Sequence, residues 1–363
     1  MFDARDSVWM ARALRLAERG LYTTSPNPRV GCVLVKNNDV VGEGWHERTG
    51  KDHAEVIALK AAGAAARGAT VYVTLEPCSH HGRTPPCTDA LIAADVARVV
   101  LAVQDPNPKV AGEGIAKLRA AGIEVERGLM EQAARELNIG FFARMTRRTA
   151  WIRSKIAMSL DGRTALANGA SQWITGEDAR LDVQHWRARS CAVLTGIATV
   201  LADDARLNVR DIATERQPLR VVLDSRLRIP PAARILAGGN VLIYTAVRDA
   251  ERCAALEMTG ATVCVLPGAN GQVDLVAMLR DLSQRGCNEV LTEAGATLNG
   301  AMLRAGLVDE LLLYIAPQLL GDISRGMVQL GELTSLDQRI NLKWQDLRQV
   351  GSDLRIIAKV GNV

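Results

Sequence analysis

Hydrophobic positions in the first half of the chain alternate between helical and strand periodicity. The predicted helices span residues 7–19, 54–66, 87–94, 112–121 and 130–138. The predicted strands span residues 30–35, 40–45, 70–75, 98–103 and 123–126. Because helices and strands alternate, helices cover both faces of one sheet, and we expect a three-layer αβα domain.

The second half repeats this alternation with more strands. Its predicted strands span residues 151–158, 192–195, 220–223, 241–245, 262–266, 289–293 and 310–316. Helical patterns between several of them indicate a mostly parallel sheet covered by helices. A polar, basic stretch at 144–149 follows the helix that we expect to close the first domain. We therefore predict two domains, residues 1–147 and 148–363.

The composition is that of an ordinary globular protein, with 48% hydrophobic and 23% charged residues. A net charge of +4 is too small to favour nucleic acid or an anionic membrane as partner. No apolar run approaches the ~20 residues that span a bilayer, and the charged N-terminal segment lacks a signal-peptide pattern. Seven cysteines, an odd number, favour reduced thiols, so we expect a cytoplasmic protein.

Three potential metal ligands lie at predicted element boundaries. His53 begins a helix, Cys78 follows a strand and Cys87 precedes a helix. One imidazole and two thiolates leave the fourth tetrahedral position of a zinc ion open for water, as in catalytic zinc sites. Zinc lowers the pKa of that water towards neutrality. Glu55 could take a proton from the water and later give one to a departing amine.

Two alternatives compete with a catalytic zinc site. Cys78 and Cys87 could be buried core thiols, which is the role we expect for the other five cysteines, or the zinc could be structural in a binding protein. The order of the three ligands, each at an element boundary, favours a metal centre. The open fourth position and Glu55 favour catalysis.

These residues resemble the cytidine deaminase-like superfamily. Its usual Pro-Cys-x-x-Cys is lengthened here, because eight residues separate Cys78 from Cys87. That spacing is similar to the RibD family, the bifunctional deaminase-reductases of riboflavin biosynthesis. Further matching motifs are Asn27-Pro28-Arg29-Val30-Gly31, Gly44-Trp45-His46 and Ser159-Leu160-Asp161-Gly162-Arg163. The resemblance spans nearly the whole chain.

The resemblance implies an N-terminal cytidine deaminase-like domain that deaminates 2,5-diamino-6-(5-phosphoribosylamino)pyrimidin-4(3H)-one. It also implies a C-terminal dihydrofolate reductase-like α/β domain that reduces the ribosyl group with NADPH to give 5-amino-6-(5-phosphoribitylamino)uracil. The expected cofactors are one Zn²⁺ per deaminase domain and NADPH. The expected partners are a small phosphorylated pyrimidine and further copies of the chain, in a dimer or tetramer.

Polar residues around the zinc motif are candidates for binding the first substrate. Asn27 can both donate to and accept from a pyrimidine ring. His46, His80, Arg83 and Thr84 could hold the ribose or phosphate, although each of them could equally be a surface or turn residue.

The second half has no Gly-x-Gly-x-x-Gly fingerprint. The run Gly295-Ala296-Thr297-Leu298-Asn299-Gly300-Ala301 follows a strand and opens a helix, which suits a dinucleotide phosphate, although such turns often have no ligand. The resemblance implies NADP contacts for this run and for Ala157, Trp173, Thr199, Asp203 and Ser225. Arg226 could pair with a 2′-phosphate or be an ordinary surface arginine.

The resemblance also implies substrate contacts in the second domain, at Ser171, Arg187, Leu207, Arg210 and Glu293. The two arginines suit the 5′-phosphate, because guanidinium binds phosphate through two hydrogen bonds. Lys155, with Glu293, is the candidate acid that protonates the sugar oxygen as hydride reaches C1′. Ala205 stands where a proline is common in the family, which makes this loop less rigid.

Other functions fit the sequence less well. A deaminase acting on another nucleotide or on tRNA would leave the second half with a different role, and for tRNA it requires a basic groove with aromatic residues. Aromatic residues make up only 4% of the chain. A further alternative is that the second half has lost its reductase activity and only the deaminase is active.

Overall fold

The structure is a computed structural model that describes residues 2–80, 85–108 and 110–361. The candidates Arg83 and Thr84 lie outside the described residues. The chain forms two compact units, unit 1 (Met1–Arg148) and unit 2 (Thr149–Val363). Within the described part of the chain, no helix combines the length and apolarity needed to cross a bilayer.

Unit 1 is built on a five-stranded sheet with the order β2-β1-β3-β4-β5. Strand β1 pairs antiparallel with β2 and β3, and β3, β4 and β5 run parallel. Its strands are β1 (Gly31–Lys36), β2 (Asp39–Trp45), β3 (Thr70–Val73), β4 (Arg98–Leu101) and β5 (Glu124–Arg127). Its helices are α1 (Ala4–Glu18), α2 (Ala54–Ala62), α3 (Cys87–Ala93), α4 (Glu113–Ala120), α5 (Glu131–Leu137) and α6 (Ile139–Arg147).

The sheet of unit 1 is buried on both faces. Neighbouring residues of β1 point to opposite sides, so Leu34 packs with Ala58 and Leu118, while Val33 packs with Met10 and Phe142. Helices α2, α3 and α4 cover one face, and α1, α5 and α6 cover the other. The predicted three-layer αβα fold is confirmed.

The prediction that unit 1 closes with the helix at 130–138 is wrong. The stretch interpreted as a basic boundary is helix α6, which buries Phe141 and Phe142. The composition of the stretch hid its helical period: the phenylalanines pack inward, while Arg144 and Arg147 occupy the last turn. Arg148 ends the helix with a left-handed backbone, and β6 begins three residues later.

Unit 2 is built on a nine-stranded sheet with the order β11-β10-β9-β8-β12-β6-β13-β16-β15. Its strands are β6 (Trp151–Ser159), β7 (Arg163–Ala165), β8 (Ala192–Gly196), β9 (Leu219–Leu223), β10 (Val241–Thr245), β11 (Ala261–Val265), β12 (Glu289–Thr292), β13 (Glu310–Ala316), β14 (Arg325–Gly326), β15 (Leu342–Val350) and β16 (Asp353–Val360). Its helices are α7 (Glu177–Arg189), α8 (Ile197–Asp203), α9 (Ala250–Glu257), α10 (Leu275–Gln284) and α11 (Ala296–Arg304).

The predicted parallel sheet is confirmed for the seven strands from β11 to β13. The chain adds two antiparallel strands, β16 and β15, that the sequence reading did not include. From β6 the chain crosses to β8, continues outward to β11 and returns to β12, between β8 and β6. In open α/β sheets, ligands bind at the carboxyl ends of the strands where the order reverses in this way.

Candidate active sites

The three predicted metal ligands converge in unit 1. His53 is the N-cap of α2, Cys87 is the first residue of α3, and Cys78 follows β3. The Nδ1 atom of His53 lies 3.3 Å from the Sγ of Cys87 and 3.6 Å from the Sγ of Cys78, and the three donor atoms lie within 4.8 Å of one another. Nitrogen and sulfur ligands of one tetrahedral zinc ion are about 3.6 Å apart. The donor set and its spacing therefore fit zinc.

The electrostatics of Cys78 also suit a cation. Hydrogen bonds from the side chain of Cys87 and the ring of His53 outweigh burial and lower the pKa of Cys78 to about 4. The backbone N–H of Cys87, at the start of α3, also donates to the Sγ of Cys78 at 3.3 Å. A helix N-terminus favours the thiolate, which is the form that binds metal.

Glu55 lies in the first turn of α2 and is only 3% exposed. Burial, followed by the charge of Cys78, raises the pKa of Glu55 to about 7. A carboxyl group with a pKa near the working pH can both take and give a proton. Because His53 precedes the helix proper, His53 and Glu55 converge on one side although a mid-helix pair at this spacing would diverge.

The zinc ligands open into a cavity of about 460 Å³. Asn27, His46 and His80 line it, as predicted, together with Asp105, Asn107 and Arg144. The sequence reading missed the last three. The signal for two of them was Asp105-Pro106-Asn107-Pro108, a turn that follows β4, because β4 is the parallel neighbour of the strand that leads to Cys78.

The protonation of His46 follows from its two partners. Its Nδ1 lies 3.0 Å from the carbonyl oxygen of Asp52, which only accepts, so Nδ1 carries the hydrogen. Burial lowers the pKa of His46, so the ring is neutral and Nε2 accepts from the Asn27 amide at 3.1 Å. Asn27 therefore keeps its carbonyl oxygen and one N–H for a ring in the cavity.

In unit 2, three predicted residues from distant parts of the chain form a buried ion cluster. Arg187, on α7, makes two hydrogen bonds to the carboxylate of Glu293, at 2.6 and 2.9 Å. Lys155, on β6, lies 4.0 Å from the same carboxylate. Burial opposes the charge of Glu293, but Arg187 and Lys155 outweigh it and lower the pKa of Glu293. Burial lowers the pKa of Lys155 despite the attraction of Glu293.

The guanidinium of Arg187, which we predicted to bind the 5′-phosphate, has other partners in this structure. Its Nε and Nη2 atoms bind Glu293, and Nη1 donates to the carbonyl oxygen of Asn208. Arg210 is exposed and keeps its guanidinium near the surface, 3.5 Å from Asp211. The predicted substrate contacts Leu207 and Ser171 are buried and half-buried, respectively.

Several predicted NADP contacts follow the carboxyl ends of adjacent strands. Thr199 and Asp203 lie on α8 after β8, Ser225 comes two residues after β9, and Gly295 caps α11 after β12 without a side-chain hydrogen bond among the described residues. The first turn of α11 therefore offers backbone N–H groups to an anion, which fits a dinucleotide phosphate. Ala157 lies on β6, and Trp173 is exposed beside the guanidinium of Arg180.

The predicted run 295–301 divides in two. Gly295 to Leu298 form the cap and first turn of α11. Asn299 is buried and its amide binds Ser154 and the carbonyl oxygen of Ala294. At Gly300, an added Cβ would lie 2.1 Å from the carbonyl oxygen of Gln329. The geometry gives these two residues packing roles, and a cofactor contact from them or Ala301 stays a prediction.

A three-layer unit with a His–Cys–Cys centre defines a zinc deaminase-type domain, and a mainly parallel α/β unit follows it. Residues 3–103 match the model of the cytidine and deoxycytidylate deaminase zinc-binding region, and residues 150–356 match the RibD C-terminal domain. The riboflavin biosynthesis protein RibD of Escherichia coli is 51% identical, covering 96% of this chain and 98% of that protein. That of Haemophilus influenzae is 47% identical, covering 98% and 97%. The chain belongs to the RibD family.

Solved structures agree with this membership. Acinetobacter baumannii RibD, form 1, superimposes with a TM-score of 0.92 at 47% identity and covers 99% of both chains. The Thermotoga maritima protein described as a diaminohydroxyphosphoribosylaminopyrimidine deaminase/5-amino-6-(5-phosphoribosylamino)uracil reductase has a TM-score of 0.88 at 32% identity, covering 98% of this chain and 99% of that one. The expected fold of both domains is thereby confirmed.

Proposed function

We propose that this chain is a bifunctional enzyme of riboflavin biosynthesis, with a deaminase domain at residues 1–147 and a reductase domain at 148–363. The first domain converts 2,5-diamino-6-(5-phosphoribosylamino)pyrimidin-4(3H)-one to the corresponding uracil. The second reduces the ribosyl group to give 5-amino-6-(5-phosphoribitylamino)uracil. The observation that carries the proposal is the convergence of His53, Cys78 and Cys87 beside a cavity that Glu55 also lines, in a RibD-family chain.

In the deaminase, the side chains position the ring and move protons. His53, Cys78 and Cys87 would hold a zinc ion, which would supply the Lewis acid that activates water. Glu55 accepts the proton of the attacking water and passes a proton to the amine, which leaves as ammonia. Asn27 binds the ring edge, and neutral His46 holds the Asn27 amide in place.

In the reductase, the ion cluster supplies the proton. Bound NADPH would supply the hydride for C1′ of the ribosyl group, where the bond to the ring oxygen breaks and that oxygen takes up a proton as a hydroxyl. Lys155 is the proton donor, and Glu293, held ionised by Arg187, orients its ammonium group. We assign the 5′-phosphate to Arg210, whose guanidinium lies at the surface.

The test combines zinc content with mass spectrometry of the product. Without NADPH, we expect the diaminopyrimidine to exchange one NH₂ for OH with release of ammonia. With NADPH, we expect a further gain of two hydrogens. Ammonia release without the second gain, from a folded protein, would contradict the reductase assignment, and a protein without zinc that still releases ammonia would contradict the metal assignment.

We also propose that the enzyme works in the cytoplasm. All seven cysteines lie among the described residues and none of them forms a disulfide, and two of them belong to the metal centre. A reducing compartment keeps such thiols available. Cys32, Cys191 and Cys287 are buried, in line with their predicted role as small core residues.

A homo-oligomer is the third part of the proposal, and the exposed edge strand β15 supports it. Trp344 and Leu347 on this strand are 61% and 62% exposed, and exposed apolar side chains on an edge strand favour pairing with another chain. Sedimentation of Leu347→Lys should show a smaller species than the wild type. Leu336→Lys, at an 80% exposed position outside the strands, is the control. An unchanged sedimentation coefficient for Leu347→Lys would exclude this edge as the interface.

A further inference from the structure

The carboxylate of Glu76 has an unusual number of backbone partners. It lies two residues before the ligand Cys78 and is 4% exposed. Its Oε2 accepts the backbone N–H groups of Asp105 and Gly112, at 3.2 and 3.0 Å. Its Oε1 accepts those of Gly114 and Ile115, at 3.0 and 3.2 Å.

All four donors belong to one segment, residues 105–108 and 110–115, which we call the wall segment. It connects the end of β4 to the first turn of α4 and contributes Asp105, Asn107 and Val110 to the lining of the deaminase cavity. None of the four bonds lies in a β-ladder. Two of the donors, Gly114 and Ile115, belong to the first turn of α4, so Glu76 both caps this helix and holds the cavity wall.

The residue type fits this task. An ionised carboxylate offers about four acceptor positions and no donor, which matches four N–H groups. Glutamine at the same place would keep two acceptor positions and turn an NH₂ group towards the other two N–H groups. Glycine at 114 also fits, because an added Cβ would lie 2.2 Å from the carbonyl oxygen of Pro77. The wall segment thus lies directly against the Glu76-Pro77-Cys78 turn.

We propose that Glu76 is a positioning residue of the deaminase, which fixes the wall segment against the turn that carries a zinc ligand and thereby sets the affinity for the pyrimidine substrate. This inference rests on the proposed deaminase function. Glu76 does not touch the reacting atoms in this role. It acts through Asp105 and Asn107, whose positions in the cavity depend on the backbone that Glu76 holds.

The test is Glu76→Gln in the full-length chain. We expect the KM for the diaminopyrimidine to rise about tenfold, because two charge-assisted hydrogen bonds are lost, while kcat falls by less than about threefold. Zinc content should be unchanged. Hydrogen exchange of the amides of Gly112, Gly114 and Ile115 should become faster, which is a readout independent of activity. The matched control is Glu113→Gln, an exposed carboxylate in the same segment, which should behave as the wild type.

The outcomes separate the possible roles. Loss of zinc with a large fall in kcat would assign Glu76 to support of the metal turn and overturn the proposal, as would unchanged exchange and KM. If Glu76→Gln does not fold, Gly112→Ala replaces it: its φ of +84° disfavours a side chain, so the same segment is disturbed with Glu76 intact. In Gly112→Ala, a rise in KM smaller than that expected for Glu76→Gln supports the proposal, and an unchanged KM overturns it. A wild-type protein that releases no ammonia refutes the proposed function, whereas unchanged exchange in the variant refutes only the anchoring by Glu76.

Discussion

Glu55 in unit 1 and Glu293 in unit 2 are both buried carboxyl groups, yet their surroundings drive their pKa values in opposite directions. Burial and the nearby Cys78 raise the pKa of Glu55 to about 7. Glu293 is buried too, but Arg187 binds both of its oxygens and lowers its pKa. The difference suits the two proposed roles, a proton carrier in one site and a fixed negative charge in the other.

The largest expected effect comes from removing the side chain of Glu55, which tests its role as proton carrier. Glu55→Ala should lower the rate of ammonia release by about a thousandfold, because general acid–base catalysis is removed. Zinc content and NADPH oxidation with the deaminated substrate should stay at wild-type values. Glu47→Ala, at an exposed position nearby, is the control. Ammonia release at the wild-type rate in Glu55→Ala would refute the catalytic role.

The next largest effect should follow from removing the negative charge of Glu293, and it should change the stability and the reduction rate of unit 2. Glu293→Gln leaves Arg187 and Lys155 buried without their partner, so the free energy of unfolding of unit 2 should fall by about 3 kcal/mol. Reduction should slow by about a hundredfold, with deamination unaffected. Calorimetry and the two assays on one preparation measure these effects, and Glu257→Gln is an exposed control. A reduction rate in Glu293→Gln equal to that of the wild type would show that Glu293 is not part of the reductase site.

A smaller effect tests the predicted contact between Arg226 of unit 2 and the 2′-phosphate of NADPH. Arg226 follows Ser225 at the carboxyl end of β9 and is exposed. Arg226→Ala should raise the KM for NADPH about tenfold and leave the KM for NADH unchanged, because only NADPH carries the 2′-phosphate. Arg228→Ala, at another exposed arginine two residues on, should change neither. Equal effects on both cofactors would show that Arg226 does not read the phosphate.

The smallest effect is a shift in pH dependence. Burial lowers the pKa of Lys155, so its protonated form is lost below the usual pH for a lysine, and the reduction rate should fall as pH rises through that lowered pKa. In Lys155→Arg the reduction rate should fall, because guanidinium does not release its proton, and the activity that remains should lack this basic limb. The deaminase profile, measured on the same variant, should not change. A basic limb that stays in place in Lys155→Arg would assign the proton donor elsewhere.

The sequence predicted the deaminase site better than the reductase site for a physical reason. The zinc ligands lie within residues 53–87, each where an element begins or ends, so local patterns place them. Lys155, Arg187 and Glu293 meet only because β6 and β12 are neighbours in the sheet and α7 packs beside them. Spacing along the chain does not indicate this contact. The resemblance to a family named Arg187 and Glu293, and the need for an acid in the reduction suggested Lys155.

Two of the elements that the sequence reading missed share a cause. Helix α6 was hidden by its arginines, and strand β15 lies mostly exposed at the sheet edge, so it lacks the buried alternation that marks a strand. The role of Glu76 was also invisible, because its four partners are backbone groups and backbone groups have no sequence signature. Several elements with buried apolar faces were found to within a few residues, as for β10 and β13, but β16 was missed although Ile356, Ile357 and Ala358 are buried.

The place of β6 in its sheet affects how the chain is made. This strand leaves the ribosome at the start of unit 2, but its two neighbours, β12 at 289–292 and β13 at 310–316, leave near the end. A buried strand without partners is prone to aggregation, and such distant pairings form slowly. Nascent chains that terminate before β13 therefore expose β6, and we expect them to need chaperones during translation.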